Sequence, residues 1–412
     1  MAGIARIEDL DDPSFNPYLT DEIMFGDYEN PYATIHEIRE RGPIVEGTYA
    51  EQIGTPPRPS TGKHHYMALS FEAVDQILND PITFSNHAFA PTLGVGFGHT
   101  VSVMDPPEHT QYRKILQKAF RPQIVQQWGD GIVAPVIDEL MSAFRGTGKA
   151  ELMTQFARPY PFNVIYRMLD LPRDDIETFY KLTIAQIITY PTMDNAIDAS
   201  TKLGRYFKAM IDARRTNPGN DVVSVIATAE VDGEYLPDDV AISFLRQLIN
   251  AGGDTTFRTT SVLLTGLLTH PDQLDAVRND RSLVPAAIEE ALRWDGPVLS
   301  SARETTREVT VCGVTLPAES FIDLMYGAAN HDPAVFPDPD RFDIFRPKHR
   351  HFGFSFGAHN CLGQQLARLE MGRALNAILD ELPNVRLDPD YPTPYPRGGM
   401  MRTPKELRVI FD

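Results

Sequence analysis

The chain is patterned for helices. Beyond about residue 105, apolar residues recur at three- and four-residue steps, the spacing of one face of an α-helix. This predicts helices over 105–120, 124–145, 159–169, 173–190, 195–216, 222–229, 238–269 and 283–294, with Tyr190-Pro191 ending one of them. A last helix reaches residue 382, its apolar face made by Leu362, Leu366, Leu369, Leu375, Ile378, Leu379 and Leu382. Upstream the pattern changes. Segments 43–48 and 65–69 read as short strands around a polar, Pro/Gly-rich stretch, 51–63, that predicts a surface loop. One helix near the start carries Tyr32, Ile35 and Ile38. Another, over 70–79, has Ser70 as its cap and Phe71, Val74, Ile77 and Leu78 facing inward. Segment 309–314 reads as a strand and turn, and 407–411 as a strand. Together these give a mainly α chain with a small β region near the N-terminus.

Segment 84–104 fits neither period. It is long and glycine-rich, and a structureless stretch of that length in a compact domain is uncommon and often functional. Phe89, Leu93, Val95 and Phe97 make it apolar enough to cover a ligand.

Composition narrows the class. The 412 residues contain no low-complexity linker and no internal repeat, so a single domain is expected over 1–412, with 1–20 as an N-terminal extension. Apolar content of 42% and charged content of 23% are those of a soluble globular chain. No run of apolar residues is long enough for a membrane span, and the acidic first 30 residues lack a signal pattern. A net charge of −18 argues against nucleic acid as a partner. Two cysteines exclude a disulfide framework and suit a reducing cytoplasm.

Candidate chemistry starts at Cys361, where the turn Phe354 to Leu362 meets the last helix. A sulfur at a helix N-terminus faces backbone N–H groups and the positive end of the dipole, which favours the thiolate. A lone cysteine is usually a small buried hydrophobe. A thiolate placed here could instead be a nucleophile, a redox centre or a metal ligand. No cysteine or histidine pairs stand at zinc spacing. Gly357 and Gly363 allow the backbone to pass close to a flat ligand. A second point of tension is Ala251-Gly252-Gly253-Asp254-Thr255-Thr256 inside the longest helical pattern, because each glycine costs about 1 kcal/mol relative to alanine there. Either one helix ends and Asp254 caps the next, or one helix continues and the glycines open a groove beside a ligand. His109 and Arg113 share a helix face and could clamp a carboxylate. Glu290 and Arg293 also share a face.

These motifs resemble the cytochrome P450 family, the haem-thiolate monooxygenases. Phe354, Gly357, His359, Cys361 and Gly363 fill the fixed positions of the family's cysteine loop, and Ala251 to Thr256 matches its oxygen-activation segment. Glu290 and Arg293 match its Glu-x-x-Arg pair, and all three motifs occur in family order. The resemblance implies the cytochrome P450 fold, a triangular single domain that is mainly α. It implies haem b with Cys361 as the iron ligand, lying between helix 238–269 and the loop and helix over 354–382. It implies that His109, Arg113, Arg303, Ala251, His359 and Gly363 contact the haem. Thr255 would hydrogen-bond dioxygen and Asp254 would gate proton supply. Glu290, Arg293 and Arg341 would be structural. The 84–104 stretch would be a substrate-access loop.

The implied reaction inserts one oxygen atom of O2 into a small organic substrate, by hydroxylation or dealkylation. Electrons would come from NAD(P)H through a ferredoxin reductase and an acidic ferredoxin docking near Lys114, Lys118, Arg121, Lys348 and Arg350. Candidate pocket residues are Phe89, Val95, Phe97, Ile187, Leu248, Ala251, Val298, Leu299 and Met400. The set is apolar, which points to a neutral or weakly polar substrate. The rival readings are a haem-thiolate enzyme that uses peroxide or catalyses a rearrangement, and a cofactor-free helical binding protein.

Overall fold

The computed structural model describes residues 28–54, 59–60, 62–187, 193–219 and 221–412. The expected extension 1–20 and the break at Tyr190-Pro191 lie outside the described residues.

The helix Asp238–Thr269 runs through the middle of the molecule, buried along most of its length. Asp238 and Asp239 occupy its first turn, where the dipole favours negative charge. It stays one helix through Gly252-Gly253. The glycines do not open a groove toward a ligand. A Cβ on Gly252 would lie 2.9 Å from Ile165, and one on Gly253 would lie 2.4 Å from Phe162. Both glycines instead let the helix Pro159–Met168 pack close against the central helix.

The stretch predicted as one helix over 124–145 is three pieces: Pro122–Trp128, a wider-turned Gly129–Val133, and Ala134–Met141. Pro135 supplies no N–H to the normal ladder, and Arg373 donates to the carbonyl of Gly129 at 2.9 Å. The polar stretch after residue 48 is not all loop. Thr48 and Glu51 form a reciprocal cap on a short helix, Tyr49–Ile53. Segment 84–104 is not structureless either. It contains the strand pair partner Phe84–Ser85, a tight turn Asn86–Phe89 and a short helix Leu93–Phe97.

The main sheet contains β1 (Ile44–Glu46), β2 (His64–Ala68), β3 (Phe84–Ser85), β4 (Ser301–Thr305) and β5 (Ser320–Leu324), in the order β1-β2-β5-β4-β3. β2 and β5 are parallel and the other pairs antiparallel. The β region is therefore not confined to the N-terminal part. A second sheet joins Lys149–Glu151, Arg408–Ile410 and Arg386–Leu387. The register of β4 on β5 pairs Arg303 with Ile322 and fixes the arginine's position.

Glu290 and Arg293 form a buried pair on the helix Val284–Asp295, with Oε1 to Nη2 at 2.7 Å. Arg293 also donates to the carbonyls of Asn330, Pro339 and Arg341. The third arginine is not Arg341, whose side chain is exposed and which contributes only its carbonyl. Arg346 fills that place, with Nε 3.6 Å from Glu290. The chain turns after Asp338, which has φ 46°, and this carries Arg346 back toward the helix.

Candidate active site

The Cys361 loop is built by two left-handed residues, Ser355 (φ 57°) and Gly357 (φ 73°). A Cβ on Gly357 would sit 2.3 Å from the carbonyl of Leu78, so only glycine fits. The loop closes when the Cys361 N–H donates to the Phe354 carbonyl at 2.9 Å. The helix Gln364–Glu381 follows at once. Backbone N–H groups of Gly363 and Gln364 reach the sulfur, as a helix N-terminus requires. Their effect is smaller than sequence reasoning expects. Burial pushes the thiol pKa up, and the N–H groups with Arg113 and Arg368 only oppose that rise. A cation on the sulfur would restore the thiolate.

Residues 353–364 are all half-buried although the loop lies inside the fold, so one face of this backbone is left uncovered. The central helix shows the matching face. Gln247, Leu248 and Thr255 are half-buried and Ala251 is exposed, at steps of three and four on an otherwise buried helix. Thr255 turns its hydroxyl back to the Ala251 carbonyl at 3.1 Å. Asp254, one position earlier, faces away from that stripe and is buried. Arg258, one turn on, pairs with it at 3.1 Å, and both side chains are almost fully buried. Asp and Arg four apart is the signal that could have identified this pair in the sequence.

A cluster of nitrogen-bearing side chains lies beside the cysteine loop. The rings of His109 and His359 are 3.9 Å apart. Arg113, on the helix Glu108–Ala119, donates to the side-chain and backbone oxygens of Asn360 at 2.5 and 2.6 Å. Arg303 is fully buried and donates to the Ala302 carbonyl at 2.7 Å. Asn86, absent from the sequence expectations, lies 3.0 Å from His359 Nδ1, and its own backbone N–H is held by Asp105 at 2.8 Å. Burial pushes the His109 pKa down to about 4, with help from Arg113 and Arg303. Burial, then His109, Arg303 and Arg113, pushes His359 down to about 2. Both ring nitrogens of His109 and Nε2 of His359 are buried with no hydrogen-bond partner among the described residues. Unpaired buried nitrogens beside the buried Arg303 and the half-buried Arg113 call for an anionic group. The carboxylates of a flat, iron-bearing macrocycle lying between Cys361 and Ala251 fit that demand.

The pocket candidates divide. Val95, Ile187, Leu248, Val298 and Met400 are half-buried and Phe97 is buried. Leu299 points elsewhere. It is 1% exposed and packs with Tyr32, Ile35 and Met325. Phe89 packs against Ala88, Ala302 and Phe321 at the sheet. Met400 borders a small void with Tyr49, His65, Ser300 and Phe321. Met401, in the same turn as Met400, bridges to Val298. Gln247, absent from the sequence expectations, donates its amide to the Ser102 hydroxyl and puts a polar group on the uncovered stripe. A groove of about 360 Å³ is lined by residues between Leu387 and Arg408 and by none of these. It is an open surface feature, and the site chemistry lies with the cysteine loop.

An uncovered cysteine loop, an uncovered stripe on the central helix and unpaired nitrogens for two carboxylates define a haem-thiolate protein. The chain belongs to the cytochrome P450 family. The family model described as Cytochrome P450 matches residues 191–411. Cytochrome P450 monooxygenase PikC of Streptomyces venezuelae is 31% identical over 387 residues, covering 90% of this chain and 89% of its own. The steroid C26-monooxygenase of Mycolicibacterium smegmatis is 33% identical over 354 residues, covering 84% and 87%. Among solved structures, CYP108D1 of Novosphingobium aromaticivorans superposes with a TM-score of 0.81 at 26% identity, covering 97% of this chain and all 100% of its own. The chain is thus a haem b monooxygenase, an oxidoreductase. No helix among the described residues is long and apolar enough to cross a membrane.

Proposed function

We propose that this chain oxidises an apolar small organic molecule, drawing electrons from NAD(P)H through a ferredoxin reductase and a ferredoxin. The observation that carries the reading is that the stripe Leu248–Ala251–Thr255 of the central helix and the Cys361 loop are both left uncovered inside the fold. When bound, haem supplies the activation of O2 and the transfer of one oxygen atom. The protein's residues do the rest. Cys361 would hold the iron through its sulfur. His109, Arg113, Arg303 and His359 would hold its carboxylates, and Gly363 would leave room beside it. Thr255 offers a hydroxyl at the uncovered face, freed when its bond to Ala251 opens. Asp254 holds the proton supply behind it, tied to Arg258 until needed. Val95, Phe97, Ile187, Leu248, Ala251 and Val298 exclude water and orient an apolar substrate. Gln247 adds a hydrogen-bonding contact for a weakly polar one.

The ferredoxin would meet Lys114, Lys118, Arg121 and Lys348, all exposed on a chain of net charge −18. Arg350 contributes less, since Asp75 holds it at 2.7 Å and it stacks on Phe356 at 4.1 Å. A cytoplasmic location suits the two unpaired cysteines.

The reading is tested by the reduced, carbon monoxide-treated protein. The wild type should give a thiolate-type Soret band and Cys361→His should lose it. A band that survives the substitution would refute Cys361 as ligand. Lys118→Glu should slow reduction by the native donor, and unchanged turnover would refute that docking face.

A further inference from the structure

We propose that His36, His331 and Asp340 bind a zinc ion, at a site separate from the haem. The ligand atoms of these three residues all lie within 4.8 Å of one another. His36 comes from the helix Pro31–Arg39, His331 follows the helix Tyr326–Asn330, and Asp340 lies in the turn ahead of Phe342. None of them serves the haem, the oxygen or the substrate.

The argument is one of donors and acceptors. His331 Nε2 lies 2.6 Å from the carbonyl oxygen of Trp294. A carbonyl only accepts, so Nε2 carries the proton. Nδ1 of the same ring lies 2.7 Å from Asp340 Oδ1. In a neutral ring that nitrogen is a lone pair, and it faces a carboxylate lone pair. Positive charge must sit between them. A second ring proton would satisfy this one contact. A metal ion there would also be within reach of His36 Nε2, which while protonated donates to both Asp340 oxygens at 3.0 Å.

The shell around the site suits an ion. His331 is fully buried, and the Tyr32 ring stacks on it at 3.8 Å, nearly parallel. The Trp294 carbonyl fixes its tautomer with Nδ1 bare, as the outer partners of ligating histidines do. His36 and Asp340 have side chains 33% and 59% exposed, so they can move and the ion can reach them. Zinc bonds of about 2.0–2.2 Å put tetrahedral neighbours about 3.3 Å apart, so the two histidine contacts to Asp340 need to open by about 0.3–0.6 Å. Two imidazoles and one carboxylate, with water in the fourth position, are a zinc-type set. Arg39 competes. Its Nη1 donates to His36 Nδ1 at 3.0 Å, which keeps the His36 proton on Nε2. Zinc uptake moves that proton to Nδ1 and turns Arg39 away, while Arg39 keeps its other bonds to the carbonyls of His331 and Ala328.

The test uses the tag-free, haem-loaded protein, stripped with a chelator and then titrated with Zn²⁺ against a chromophoric indicator. Thermal unfolding is followed in parallel. One zinc per chain and an unfolding midpoint that rises with free zinc are expected. Asp340→Asn and His36→Gln should each weaken zinc binding by about tenfold or more. Arg39→Gln, which removes the competing donor, should bind zinc more tightly than the wild type. Zinc bound equally by the wild type and both ligand variants, or no zinc-dependent rise in the wild type, would overturn the proposal.

Discussion

Replacing Arg258 with methionine removes the cation from Asp254 and keeps most of the side-chain volume. The two side chains are 1% and 4% exposed, so the remaining carboxylate has no water to turn to. It loses three N–H contacts of 3.1 to 3.3 Å. Breaking a buried ion pair from one side costs about 3–5 kcal/mol. Unfolding entropy of about 2.1 cal/mol/K per residue comes to about 0.9 kcal/mol/K for 412 residues, so the midpoint should fall by about 3–6 °C. Adding Asp254→Asn to Arg258→Met removes the stranded charge and should recover most of the loss. Thermal unfolding of the wild type, the single and the double variant reads both numbers. A single variant within about 1 °C of the wild type, or a double variant no better than the single, would show that the pair carries no such energy.

Thr255→Ala should leave substrate binding intact and divert electrons to hydrogen peroxide. Peroxide released per NAD(P)H consumed is the readout, and tightly coupled turnover would remove Thr255 from proton handling. Arg346→Ala should destabilise the fold by about 1–3 kcal/mol, because it strips a charge from buried Glu290. Arg341→Ala should change stability by no more than about 0.5 kcal/mol, and urea titrations of the two variants decide between the arginines. Burial pushes the Glu289 pKa up, but hydrogen bonds from His351 and Arg368 outweigh it and hold it at about 2. A carboxylate depressed in the folded state stabilises above its unfolded pKa, near 4.5, and that contribution is lost as pH falls toward 2. The stability gap between the wild type and Glu289→Gln should therefore be full at pH 6 and close over that window; a gap independent of pH would refute it.

The helices were legible because their apolar faces repeat. The central helix in particular matches its predicted span, Asp238–Thr269. Strand β5 was not, since every residue from Ser320 to Leu324 is buried and no alternation marks it. The Gly129–Val133 turn also went unseen, because its cause includes Arg373, a residue far along the chain. In the site, residues within a contiguous motif could be found by their spacing. Leu299 and Arg341 were misplaced for a different reason. Both sit where the chain turns, and which way a side chain points there depends on partners such as Tyr32 and Arg346 that spacing does not encode. Gln247 was not among the expected site residues, although its step of four to Ala251 puts it on the same face.

The contact of Gly252 and Gly253 with Ile165 and Phe162 has a bearing on engineering. The distal wall of the site is held in place from behind, by residues that never meet a substrate. Trimming Phe162 would let the central helix settle backward and deepen the chamber without altering a single lining residue. Enlarging either glycine would push the same wall forward. The reach of the enzyme toward bulkier molecules is therefore adjustable at its back, where directed-evolution libraries built only on lining residues would not look.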